Sequence, residues 1–121
     1  METLRCGMSG KNMESKFSYQ FTKRAEADLD DIVGYMSVEL SNAQAAARFI
    51  EKLQAALDEI RSFPESGTLV INDFLQVKNV RKVIIGHYIM YYISEPHEKV
   101  ISILRIVYGR RDINKIIRNL T

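Results

Sequence analysis

Residues 77–108 read VKNVRKVIIGHYIMYYISEPHEKVISILRIVY. Three β-rich runs lie within them: Val77–Ile85, Tyr88–Ile93 and Val100–Tyr108. Gly86-His87 parts the first two, and Ser94-Glu95-Pro96-His97-Glu98-Lys99 parts the last two. β-Branched and aromatic side chains suit a half-buried, pleated surface. Links this short join antiparallel neighbours, because a parallel return needs a crossover of about a dozen residues. The stretch therefore predicts an antiparallel meander of three strands.

Upstream, the period changes. Phe17, Tyr19 and Phe21 alternate with Ser18 and Gln20, which predicts a short strand. Thr22 is placed to cap a helix whose apolar stripe is Ala25, Leu29, Ile32, Met36 and Leu40. Glu26, Asp28, Asp30 and Asp31 fall on its other side, near the N-terminus, where the helix dipole favours acids. Ser41-Asn42-Ala43-Gln44 fits a capping box with Ser41 as the cap. A second helix comes next, with Ala43, Ala46, Ile50, Leu53, Leu57 and Ile60 as its apolar face. It ends at Ser62-Phe63-Pro64, because proline cannot continue a helix. With almost no loop between them, the two helices should form an antiparallel hairpin, and Ala43, Ala45, Ala46 and Ala47 allow close approach at its turn.

Residues 64–75 read as a loop or a partly extended connection, and Asp112–Leu120 as a short helix with Ile113, Ile116, Ile117 and Leu120 on one side. The predicted class is α+β: an N-terminal strand, an antiparallel helical hairpin packed on a three- to four-stranded antiparallel sheet, and a short C-terminal helix. Residues 1–15 are polar, glycine-containing and without period, so a tail is expected there and a single domain over 16–121. Met13 would serve as an alternative start. One sheet face would remain open to display the basic second half of the chain.

The bulk numbers narrow the function. A chain of 121 residues, 46% hydrophobic and 26% charged, suits one globular domain. No apolar run approaches the ~20 residues of a membrane span, and the N-terminus lacks the apolar core of a signal peptide, so a cytoplasmic protein is expected. The one cysteine, Cys6, excludes an intrachain disulfide, and His87 and His97 lack metal-site spacing. No cofactor is implied. Net charge is +2, but it is segregated. Residues 1–75 carry 8 Lys/Arg against 12 Asp/Glu, and residues 76–121 carry 9 against 3. The basic half either meets an anionic partner or is drawn to the acidic half across the fold.

Four stretches resemble the RelE/ParE superfamily of toxins from bacterial type II toxin–antitoxin systems. They are Ala25-Glu26-Ala27-Asp28-Leu29-Asp30-Asp31-Ile32; the run Ala45–Pro64 closing on Phe63-Pro64 with Gly67 beyond; Val80-Arg81-Lys82 through Gly86 and the tyrosines after it; and Ile103-Leu104-Arg105-Ile106-Val107-Tyr108-Gly109-Arg110-Arg111-Asp112. Together they span about residues 17–119. The resemblance implies the α+β fold above, a small acidic antitoxin as partner, and growth inhibition when that antitoxin is lost. It also implies one of two targets: mRNA on the ribosome, cut by RelE-like members, or DNA gyrase, poisoned by ParE-like ones. The ribonuclease members commonly carry arginine in a Gly-aromatic-Arg-hydrophobic pattern, and here that place reads Gly86-His87-Tyr88-Ile89. They also often end in a functional Tyr or His, whereas this chain ends Ile117-Arg118-Asn119-Leu120-Thr121. Both departures favour the ParE-like reading. A non-toxic relative that keeps only antitoxin binding is the third reading.

The candidate site residues differ between the readings. A nuclease would use Arg81, Arg105, Tyr108 and Arg111 with His87 as an acid–base group. A protein-binding toxin would present Arg81, Arg105, Tyr108, Arg110 and Arg111 to its partner. Strand parity puts Arg105 on one face with Ile103 and Val107, where it either meets an anion or bonds loop carbonyls or Asp112. Arg110 and Arg111 stand at a strand end, with one of them free to pair with Asp112 instead. Tyr91 should face away from Tyr88 and Tyr92, and at least one of the three should be core. An exposed part of the helical stripe would be an antitoxin groove or a homodimer surface.

Overall fold

The computed structural model describes residues 16–73, 75, 79–110 and 116–117. The expected tail 1–15, Cys6, Lys78, Arg111, Asp112 and most of the expected C-terminal helix lie outside them.

β1 (Ser18–Phe21) ends at Thr22, which turns the chain into α1 (Lys23–Gly34). One hydroxyl does two jobs there. Thr22 Oγ1 accepts from the Ala25 amide at 3.1 Å and donates to the Leu104 carbonyl at 3.1 Å. The helix cap is thus tied to the sheet strand that contains Leu104.

Tyr35–Glu39 continue α1 as a π-helical turn. The Leu40 amide reaches back five residues to the Tyr35 carbonyl at 3.0 Å. The wider turn holds an extra residue and rotates the residues after it off the face set by α1. Ala25 and Ile32 are buried and Leu29 and Met36 pack on the core, but Leu40 is exposed, contrary to the stripe read from the sequence. The cap of the second helix also shifts. Asn42, not Ser41, caps α2 (Ala43–Ser62), its Oδ1 accepting from the Ala45 amide at 3.0 Å. Ser41 instead stands at φ +48°, taking the chain out of the π turn. The buried face of α2 is Ala46, Phe49, Leu53, Leu57 and Ile60, so Phe49 joins the stripe, Ala43 is exposed and Ile50 is half-buried.

The sheet has five strands in the order β1-β5-β4-β3-β2. β2 is Thr68–Leu69, β3 Arg81–Ile85, β4 Tyr88–Glu95 and β5 Val100–Tyr108. The meander β3-β4-β5 is antiparallel as the short links demand, with Ile85 opposite Tyr88 across the Gly86-His87 turn. Gly86 takes φ +62°, a value that glycine adopts without strain. β2 adds an antiparallel edge from the 64–75 connection, which is thus partly extended, and β1 adds a parallel edge beside β5. β3 starts at Arg81 rather than at Val77, with Asn79 in the left-handed region at φ +67° just before it.

Both sheet faces are covered. On one, α1 and α2 pack Ala25, Ile32, Phe49, Leu53, Leu57 and Ile60 against Ile85, Met90, Tyr92, Ile101, Ile103 and Ile106. On the other, Val80, Tyr91 and Val107 bury against Ile116 and Ile117. The face expected to be open therefore carries an apolar cluster of its own, and Ile116 and Ile117 are helical.

At the end of α2 the chain is clamped. The Tyr92 hydroxyl donates to the Pro64 carbonyl at 2.7 Å and accepts from the Gly67 amide at 3.0 Å. Arg81 Nη1 donates to the carbonyls of Glu65 at 3.1 Å and Gly67 at 2.8 Å. Gly67 is glycine for lack of room: a Cβ there would stand 2.8 Å from Tyr92 Cε1 and 2.9 Å from the Lys82 carbonyl. Overfilling a packed site costs about 1–3 kcal/mol. Gly67→Ala should lower the unfolding free energy by about that amount in urea titration, with Tyr92 displaced from Pro64.

Candidate partner-binding site

Arg105 turns inward. Its Nε meets Asp28 Oδ2 at 2.7 Å and its Nη2 meets Asp28 Oδ1 at 3.1 Å, a two-pronged bond between β5 and α1. Asp28 Oδ2 also accepts the Ile106 amide at 3.0 Å. Geometry explains that second bond. β1 pairs with β5 only as far as Ile103, so the Ile106 amide on the outer edge has no strand to bond. The carboxylate takes the place of the missing strand. Arg105 keeps 7% of its surface exposed.

The face expected for Arg105 is corrected by an irregularity. Tyr91 lies opposite Arg105, but Tyr92 lies opposite Ile103, so Leu104 is an extra residue in β5. A bulge breaks strict alternation. Ile103 accordingly belongs to the helix-side cluster and Val107 to the opposite one. Among the described residues Arg105 meets Asp28 and no loop carbonyl, and Asp112 lies outside them. Arg105 joins the acidic half of the chain to the basic half.

Arg81 is likewise engaged, with the 65–67 turn. It lies four residues along β3 from Ile85, roughly 13 Å from the hairpin tip at the strand rise. His87 and Tyr108 do come together, at that tip. Tyr88 lies opposite Tyr108 in the register, and their rings meet edge to face at 5.6 Å. Phe49 also meets Tyr88 edge to face, at 5.3 Å. The His87 carbonyl accepts from the Gly109 amide at 2.9 Å, which fixes the end of β5 beside the hairpin. Arg110 comes next, exposed.

The same tip borders a cleft of about 500 Å³ lined by Tyr35, Met36, Leu40, His87, Tyr88 and Tyr108. Burial, then the neighbouring hydroxyls of Tyr108 and Tyr35, raise the Tyr88 pKa above its ordinary 10.0, so that phenol stays neutral. Tyr91 does face away from Tyr88 and Tyr92. Its buried hydroxyl has no hydrogen-bond partner among the described residues, and burial raises its pKa too.

Of the nuclease candidates, the structure brings His87 and Tyr108 together. It sets Arg81 and Arg105 elsewhere, and Arg111 lies outside the described residues. Sequence reading missed Tyr35 and Leu40 as cleft residues, because nothing in the spacing signals the π turn. It also missed Asp28, which looks like one of four solvated helix acids until β5 is laid against it.

An α+β domain whose sheet is wrapped by a helical hairpin and whose arginines brace it from within defines a recognisable class. Residues 19–113 match the family described as the ParE toxin of the type II toxin–antitoxin system parDE. The chain belongs to that family. Solved structures bear out the fold. A chromosomal ParDE system from P. aeruginosa matches with a TM-score of 0.59 and 22% identity, over 78% of this chain and 97% of that one. RelBE2 from Mycobacterium tuberculosis matches at 0.55 and 16%, over 77% and 98%. A substituted E. coli RelE in the free state matches at 0.57 and 13%, over 85% and 94%. No curated protein sequence matches significantly. Among the described residues, no helix is long and apolar enough to cross a membrane.

Removing one member of a buried ion pair leaves the other charge uncompensated, at a cost of about 3–5 kcal/mol. Asp28→Ala should lower stability by that order in urea denaturation. Arg105→Lys should lose less, since it keeps the charge but not the fork.

Proposed function

We propose that this toxin arrests growth in the cytoplasm by binding DNA gyrase, and that a small acidic antitoxin neutralises it. The observation that carries this reading is the fate of the arginines. A ribonuclease of the RelE kind needs cations free to meet a phosphate in flight. Here Arg105 is engaged by Asp28, and Arg81 by the carbonyls of Glu65 and Gly67. Tyr88 stands where ribonuclease relatives commonly carry arginine, held neutral beside two other rings.

What remains for a partner is the hairpin tip: Tyr108 and Arg110, with Arg111 next in the chain. Arg81 and Arg105 serve the fold that presents them. The ParDE and RelBE2 relatives are toxin–antitoxin complexes, which supports an antitoxin for this chain as well. A basic strand end suits an acidic segment by charge.

The experiment is a supercoiling assay on purified toxin and gyrase, with mRNA cut sites mapped in parallel during induced expression. Supercoiling should be blocked by the toxin and restored by stoichiometric antitoxin, with mRNA intact. Codon-phased cuts with normal supercoiling would replace this reading with the ribonuclease one.

A further inference from the structure

Tyr35, Leu40 and Tyr108 leave 51%, 52% and 41% of their surfaces in water. Isolated apolar side chains at a surface need no explanation, but these three converge on one cleft with Met36 and Tyr88. Backbone sets its shape. The π turn carries Tyr35 and Leu40 outward, Gly86 makes the tight hairpin, and the Gly109–His87 bond holds the strand end against it. Tyr88 meets both Phe49 and Tyr108 edge to face. A preformed aromatic pocket loses little freedom when filled, which is the character of a hot spot.

Two cations stand near the hairpin that borders the cleft. Lys52 Nζ lies 3.9 Å from where a Cβ on Gly86 would stand, and Arg110 lies just past Gly109 at the strand end, exposed. Glu39 belongs to the opposite, π-helical wall. The arrangement suits one large apolar side chain flanked by carboxylates. A cleft of this volume takes one or two side chains. That is enough to anchor a partner already folded, whereas a segment that orders on binding needs a longer run of contacts to offset its lost entropy.

We propose that this cleft is the surface by which the toxin grips gyrase. An acidic patch of the enzyme inserts an apolar side chain among Tyr35, Leu40 and Tyr108 and sets carboxylates against Lys52 and Arg110. The inference rests on the reading of gyrase as the target.

The test compares wild type with Tyr35→Ala/Leu40→Ala, which alters exposed side chains, and separately with Arg110→Glu. Gyrase inhibition, affinity for the cognate antitoxin and thermal melting are measured on each. Both variants should need about 10-fold more protein, or beyond, for equal inhibition. Melting temperature should hold in both, and antitoxin affinity should hold in Tyr35→Ala/Leu40→Ala. Inhibition at the wild-type level would overturn the inference. So would a parallel loss of antitoxin affinity in Tyr35→Ala/Leu40→Ala, which would give the cleft to the antitoxin, or binding of a single-stranded RNA oligonucleotide that both variants abolish. A wild-type protein that leaves gyrase untouched refutes the function reading itself and takes this inference with it. That failure shows before any variant is made.

Discussion

The carboxylate of Asp28 holds three donors at once: two from Arg105 and the amide of Ile106. Much of the molecule depends on that arrangement. β1 is four residues long and leaves the second half of β5 without a neighbour on its outer edge. An open edge is a place where another chain can pair. α1 crosses that edge, and Asp28 supplies the acceptor that a longer β1 would have provided. The guanidinium then offsets the cost of holding a carboxylate in a part-buried place. The segregated charge of the sequence thus has an internal reason at this point. An acid from the first half and a base from the second meet across the fold.

The opposite end of the sheet is governed by Tyr92 and Arg81. Their bonds to residues 64–67 hold the turn after α2 and set how the chain enters β2. The two clamps use up the two arginines that looked most useful for chemistry. That leaves the hairpin tip, where Tyr35, Tyr88 and Tyr108 gather beside His87. On the proposed reading this aromatic tip grips a surface rather than moving a proton. Tyr88 illustrates the point, since its surroundings push its pKa upward, away from the range where a phenol exchanges protons readily near neutral pH.

The class, the element order and the antiparallel meander were legible because they rest on period and link length. Gly86-His87 admits one answer, and Pro64 ends a helix wherever it stands. Three features were not legible. The π turn at Tyr35–Glu39 leaves no mark in a stripe whose spacing still looks helical, so Leu40 was placed on the wrong side. The bulge at Leu104 inserts one residue into β5 and divides Ile103 from Val107, which strict parity had joined. β2 is too short, at two residues, for any alternation to show. The site suffered most, because it depends on the first two. Parity turned Arg105 toward a partner, and the helical stripe hid Tyr35 and Leu40 from the cleft. Asp28 had no signal at all. Its partner is 77 residues away.

On the proposed reading, Arg105 serves the fold through Asp28 rather than the contact with RNA or partner. The most direct test is a variant in which both members of the pair become apolar, Asp28→Leu with Arg105→Met. Replacing a buried ion pair whole costs far less than breaking it, and what remains is the Ile106 amide left without its acceptor, a cost of about 1–3 kcal/mol. Growth arrest on induced expression should survive in this variant once melting shows it folded. Loss of arrest in a folded, antitoxin-binding double variant would refute that role and return Arg105 to the chemistry.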